Sequence, residues 1–326
     1  MFNLNTLQKC SYSVSKILFL NDNLVKKINK KIVNVKIFDV TLRDGLQTLN
    51  SNEQELFTTN HKIKLYNHLI NNYNVTNLEI GSFVNTKILP IFKDTEELFK
   101  YAENNTNRNK NSINHYILVP NQEYLIKALN SGVKNFSFIT SVSNRFQLKN
   151  TKQLLNENLN HLNEMMNILN DHKTMIINKN NNIKLEYKVK LYVSCINECP
   201  IEGKIPLSNI ITQLYFLNML KFDKICLSDT CGSLTNEEFI EIMDRLIKTV
   251  KIDVSKISLH LHIKPERENE AEKIFHTALD YGVNEFDVSE LKTGGCSITM
   301  DNNKLAPNMS YQQINKFINN FVLKKL

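Results

Sequence analysis

From residue 33 onward, short apolar or alternating runs are each followed by a longer segment with apolar residues three and four apart. The short runs are 33–40, 77–83, 115–119, 135–140, 188–193, 223–227, 257–262 and 285–288. They are rich in Val, Ile, Phe, Tyr and Leu, the residues that fit a pleated, half-buried surface, and are read as strands. The segments between them carry helical stripes. Leu155, Leu159, Leu162, Met165, Met166 and Leu169 make one such stripe. Phe239, Ile242, Met243 and Leu246 make another, opened by Thr235 with Glu238 three residues on, a capping-box pattern. Ile274, Ala278 and Leu279 make a third, which Gly282 is placed to end. These Met and Leu stripes are read as core faces.

Eight strand-then-helix units of this size predict a single-domain α/β fold, a (β/α)8 TIM barrel spanning 32–326. The rival, a doubly wound open sheet, usually has a glycine-rich phosphate loop after its first strand. Here the first strand runs into Thr41-Leu42-Arg43-Asp44-Gly45, and the chain has 8 Gly with no G-x-G-x-x-G among them.

Composition narrows the function. With 42% hydrophobic residues in 326 the chain can bury a large core, which excludes wholesale disorder. No run approaches 18 uncharged apolar residues, so no membrane-spanning helix is expected. The net charge of +7 is mostly scattered Lys, a solvated surface rather than a nucleic-acid groove. Six Cys at irregular spacing do not make a disulfide framework and suit a reducing compartment. Cys195 and Cys199 lack the second pair that a zinc site would want. Residues 1–31 stand apart as an N-terminal extension with six Lys, one acidic residue (Asp22) and no Arg. That extension reads either as a targeting presequence or as a surface segment packed on the barrel. The compartment is left between mitochondrial and cytoplasmic.

In a barrel of this kind chemistry sits at the C-terminal ends of the strands. Those ends carry Arg43, Asp44 and Gln47; Glu79 and Ser82; Ser194, Cys195 and Cys199; Asp229 and Thr230; His260 and His262; and Gly294, Gly295 and Cys296. His260 and His262, two apart on a strand, project from one face and can offer two imidazoles to one metal. Asp44 can add a carboxylate. Such mixed ligation suits Mg²⁺, Mn²⁺ or Zn²⁺. Arg43 either pairs with Asp44 structurally or faces an oxyanion in the site.

Taken in order, these strand ends resemble the 3-hydroxy-3-methylglutaryl-CoA lyase family of metal-dependent barrels. The resemblance rests on DVTLRDGLQ (39–47), LEIGSFV (78–84), VPN (119–121), YVSC (192–195), CPIEGK (199–204), LSDTCG (227–232), LHLH (259–262) and GGC (294–296), and covers about 35–316. It implies a divalent metal, Mg²⁺ or Mn²⁺, on Asp44, His260, His262 and a family Asn, matched here to Asn303. It implies catalytic roles for Arg43, Cys296, Asp229, Glu79 and His260, and substrate contacts from Gln47, Arg43 and Thr230. The reaction implied is retro-Claisen cleavage of 3-hydroxy-3-methylglutaryl-CoA, or a related 3-hydroxyacyl-CoA, to acetyl-CoA and acetoacetate. The expected partners are an acyl-CoA substrate and a second copy in a homodimer, with no nucleic acid and no membrane. Two segments depart from the family pattern: 263–268 after His262, and 297–303, read as a shortened loop after Cys296. They keep two alternatives open, a non-catalytic barrel that binds a ligand or partner, and a condensing enzyme of the isopropylmalate or homocitrate synthase type.

Overall fold

The computed structural model describes residues 34–73, 75–106, 113–179, 185–296, 298–300 and 305–325. The extension at 1–31 and Asn303 lie outside the described residues. All eight expected strands form. They are β1 (Lys36–Asp39), β2 (Asn77–Ser82), β3 (Asn114–Leu118), β4 (Asn135–Ser141), β5 (Lys188–Ser194), β6 (Lys224–Asp229), β7 (Ile257–Leu261) and β8 (Glu285–Val288). They are parallel and close into a barrel in the order β1-β8-β7-β6-β5-β4-β3-β2, with Lys36 opposite Glu285 at the closing seam. This is the (β/α)8 barrel that the strand–helix alternation predicts.

The principal helices are α1 (Thr59–Asn72), α2 (Thr95–Thr106), α3 (Gln122–Asn130), α4 (Leu155–Lys179), α5 (Leu207–Asn218), α6 (Asn236–Arg245), α7 (Glu268–Tyr281) and α8 (Tyr311–Lys325). Their apolar stripes face the strands. Leu162, Met165 and Leu169 of α4 are buried, as are Phe239, Ile242 and Met243 of α6. The capping box opens α6: the Thr235 hydroxyl accepts from the Glu238 amide at 3.2 Å, and the Glu238 carboxylate accepts from the Thr235 amide at 3.0 Å. Gly282, with φ +95°, ends α7 in the left-handed conformation that a side chain would resist.

The large apolar core lies between the strands and the surrounding helices. The barrel interior is more mixed. Phe38, Val40 and Tyr116 pack there as one small apolar group, and Leu118, Tyr192 and Cys226 as another. Among them lies Lys190, buried, with its ammonium 3.4 Å from the centre of the Phe38 ring. Polar groups inside the barrel thus begin well below its mouth.

Candidate metal and substrate site

Immediately after β1 the chain winds into one π-helical turn, Thr41–Gly45, in which Arg43 and Asp44 are both buried. Single π-turns are rare and concentrate at functional sites. Arg43 is held from two sides. Its Nε pairs with the Glu79 carboxylate from β2 and its Nη1 with Asp44. The Tyr192 ring lies 5.1 Å from its guanidinium carbon. Burial alone would make Arg43 easier to deprotonate, but Glu79 and Asp44 more than offset it and hold the charge firmly on.

Asp44 faces β7. Its Oδ2 lies 4.0 Å from His260 Nε2, and His260 Nε2 lies 3.1 Å from His262 Nε2. One ligand atom from each of Asp44, His260 and His262 falls within 4.8 Å of the others. Burial penalises the Asp44 carboxylate, yet Arg43 and the two imidazoles win and keep its pKa well below the carboxylate range. Burial, with His260 alongside, pushes His262 down to about 4, so it is neutral at physiological pH, the form that ligates a cation.

A further polar side chain reaches Asp44 from the segment before α8. Asn308 is buried, and its Nδ2 donates to Asp44 Oδ2 at 2.9 Å and to the Thr293 carbonyl at 3.0 Å. Its Oδ1 is buried without a hydrogen-bond partner, an expensive arrangement for an amide oxygen that no cation or donor engages. An antiparallel bridge ties Asn308 to His262, and Gly294 makes room for it, since a Cβ there would come within 2.6 Å of Asn308 Nδ2. Two imidazoles, a carboxylate and an amide oxygen form a donor set that fits Mg²⁺, Mn²⁺ or Zn²⁺. Asn303, matched to the family Asn by resemblance, lies outside the described residues, and Asp44 receives its asparagine hydrogen bond from Asn308. A Pro just before it and a helix start just after it were the available signals.

The Asp44, His260 and His262 side chains open onto a cavity of about 480 Å³ at the C-terminal ends of the strands. Arg43, Asp44, Gln47, Thr230, His260, His262 and Cys296 all line it. Glu79 lies behind Arg43, fully buried, and not on the wall. Asp229 is not brought to the cavity, a correction to the expectation from its strand-end position. Its carboxylate accepts the backbone N–H groups of Ser233 and Leu234, both at 3.1 Å, and so braces the turn into α6. Alternation along β6 explains this, because Ser228 and Thr230 face the cavity and the residue between them faces away. Cys296 is half-buried, with Sγ 3.7 Å from Asn150 Oδ1, and burial raises its pKa, which keeps the thiol protonated. Sequence reasoning missed Tyr192, Ser228 and the segment Lys149 to Gln153, which also line the cavity.

A model of the HMGL-like family matches residues 34–316. The chain belongs to the HMGL-like family. Its similar proteins include the hydroxymethylglutaryl-CoA lyase YngG of Bacillus subtilis, 28% identical over 80% of this chain and 78% of that one. The mitochondrial hydroxymethylglutaryl-CoA lyase of Bos taurus is 27% identical over 80% and 72%. Among solved structures, the hydroxymethylglutaryl-CoA lyase of Pseudomonas aeruginosa superposes with a TM-score of 0.72 at 21% identity, covering 88% of this chain and 86% of the other. An Acinetobacter baumannii lyase in complex with coenzyme A and 3-methylmalate gives 0.70 at 22% identity, over 87% and 83%. Both superpositions show that the HMGL-like barrel is the same fold. No helix among the described residues is long and apolar enough to cross a membrane.

Proposed function

We propose that this HMGL-like protein is a divalent-metal-dependent carbon–carbon lyase acting on 3-hydroxy-3-methylglutaryl-CoA or a close 3-hydroxyacyl-CoA relative. One observation carries the reading: Asp44, His260 and His262 converge at one barrel mouth, beside Arg43 and Cys296, on a single cavity, with Asn308 hydrogen-bonded to Asp44. The hydroxymethylglutaryl-CoA lyases to which the chain is similar support the substrate class.

Asp44, His260, His262 and Asn308 would hold the cation. When bound, it polarises the C3 hydroxyl and a carbonyl oxygen of the substrate. The C3 hydroxyl gives its proton to water in the open cavity as the C2–C3 bond breaks, leaving acetoacetate and the enolate of acetyl-CoA, and that proton restores the thiol once Cys296 has protonated the enolate carbon. Arg43 meets that enolate oxygen. Glu79 and Asp44 hold the guanidinium in place beforehand, so little reorganisation is needed as charge develops. The protonated thiol of Cys296 delivers a proton to the enolate carbon. Gln47 and Thr230 contribute polar contacts on the wall, where the Thr230 hydroxyl already accepts from the Cys195 amide at 2.9 Å. His260 Nδ1 is engaged by Asp287, and its Nε2 is turned toward His262 and Asp44. The role supported for His260 is therefore a ligand rather than a proton carrier.

The test is incubation of the purified full chain, with Mg²⁺ or Mn²⁺, against a panel of 3-hydroxyacyl-CoA thioesters with free acetyl-CoA as the readout. Release from 3-hydroxy-3-methylglutaryl-CoA above the other thioesters is expected. No release from any of them removes the lyase reading and leaves a binding barrel.

A further inference from the structure

Beneath the candidate metal site runs a buried chain of charged groups that none of the roles above uses. Asp287, on β8, faces the barrel interior and is 1% exposed. Its Oδ2 lies 3.1 Å from His260 Nδ1. Its Oδ1 pairs with the ammonium of Lys190, which reaches across the interior from β5. β5 and β8 are not neighbours in the barrel, so this pair spans the interior instead of lying along one seam. Lys190 has Glu285 Oε1 at 3.9 Å as a further acidic neighbour. The Cys226 thiol lies 3.9 Å from Asp287 Oδ2.

A buried ion pair is a poor way to stabilise a barrel interior, since apolar side chains of equal volume do as well or better. Its contact with His260 gives it a use. A carboxylate can only accept a hydrogen bond, so the nitrogen of His260 that faces it must carry the hydrogen. That leaves Nε2 with a free lone pair, on the side where His262 Nε2 and Asp44 lie. We propose that Asp287, clamped by Lys190, is a positioning residue that fixes His260 in the tautomer and orientation needed to bind a cation through Nε2. This rests on reading Asp44, His260 and His262 as the metal site.

Lys190 sharpens the test. In Asp287→Asn the ammonium still demands an oxygen, so the amide must present its oxygen to Lys190 and its NH2 to His260. Nδ1 then has to accept, the ring proton moves to Nε2, and the ligand lone pair is lost. In the double variant Lys190→Met/Asp287→Asn the amide is free to turn its oxygen back to His260. The predicted order of Mn²⁺ affinity, read by electron paramagnetic resonance titration of the full chain, is therefore not additive. D287N should bind at least about 10-fold more weakly than wild type, the usual scale for losing a partner behind a ligand. The double variant should recover most of that loss.

Long-range ¹H–¹⁵N correlation on histidine-labelled, metal-free protein gives the second readout, which depends on neither turnover nor metal. His260 should carry its hydrogen on Nδ1 in the wild type and on Nε2 in D287N. A wild-type His260 protonated on Nε2 overturns the proposal even if no variant folds. So does D287N that binds Mn²⁺ like wild type, or that loses affinity while keeping the wild-type tautomer. A wild type with no Mn²⁺ affinity but with the Nδ1–H tautomer contradicts the metal reading instead, and leaves the Asp287 assignment standing.

Discussion

Asn308 Nδ2 donates to Asp44 Oδ2 at 2.9 Å, which joins the segment before the last helix to the turn after the first strand. The same amide leaves its Oδ1 buried and without a partner. If that oxygen is a ligand, Asn308→Ala should lower Mn²⁺ affinity by roughly 10-fold or more, since losing even a partner behind a ligand costs about that much. Isothermal titration with wild-type affinity in the variant would assign Asn308 a purely structural role.

Arg43 bears on the balance between stability and chemistry. The guanidinium is gripped by Glu79 and Asp44, so both roles draw on the same contacts. If it meets an enolate, Arg43→Met should lower kcat by about 10² or more, since one preorganised electrostatic contact is worth about 3 kcal/mol. A fall in Tm with unaltered kcat would mark the pair as structural.

The barrel was legible because its signal is redundant. Eight β-rich runs separated by helical stripes each had to fail independently for the fold to be missed, and all eight form within a few residues of their expected ends. Asp44, His260 and His262 were legible for a similar reason, since a His-x-His pair on a strand must share a face. Asp229 was not. A carboxylate at a strand end reads the same whether it faces the cavity or braces the next turn, and only the alternation with Ser228 and Thr230 decides. The contact of Asn308 with Asp44 carries no sequence signal strong enough to single it out in a chain crowded with asparagines. Asp287 and Lys190 were hidden because they lie below the mouth, inside runs that read as plain strand.

Asp229 also makes a prediction about pH. Burial raises its pKa to about 6, against 3.8 for an ordinary Asp, in spite of the Ser233 and Leu234 amides. A carboxylate whose folded pKa is raised favours the folded state when protonated, so that contribution is lost as pH rises from about 4 through 6. The stability of wild type minus that of Asp229→Asn should therefore shrink across this window, by on the order of 3 kcal/mol. Urea unfolding of both proteins at pH 4 and pH 7 measures it. A difference that grows with pH would reverse the assignment.

Cys296 lines the cavity and is half-buried, whereas Cys226 is sealed inside the barrel. Iodoacetamide should label Cys296 well before Cys226, and an acyl-CoA in the cavity should slow it. Peptide mapping by mass spectrometry with and without coenzyme A reads both rates. Equal labelling of Cys296 in the two conditions would take it out of the ligand's path.

The most direct test of the account is metal-dependent bond cleavage by the purified full chain. After chelation and dialysis, 3-hydroxy-3-methylglutaryl-CoA should remain intact. On adding Mg²⁺ or Mn²⁺ it should yield acetyl-CoA and acetoacetate in equal amounts, and His262→Ala should abolish the recovery. A thioester that stays intact with the cation shown bound to Asp44, His260 and His262 would contradict the account.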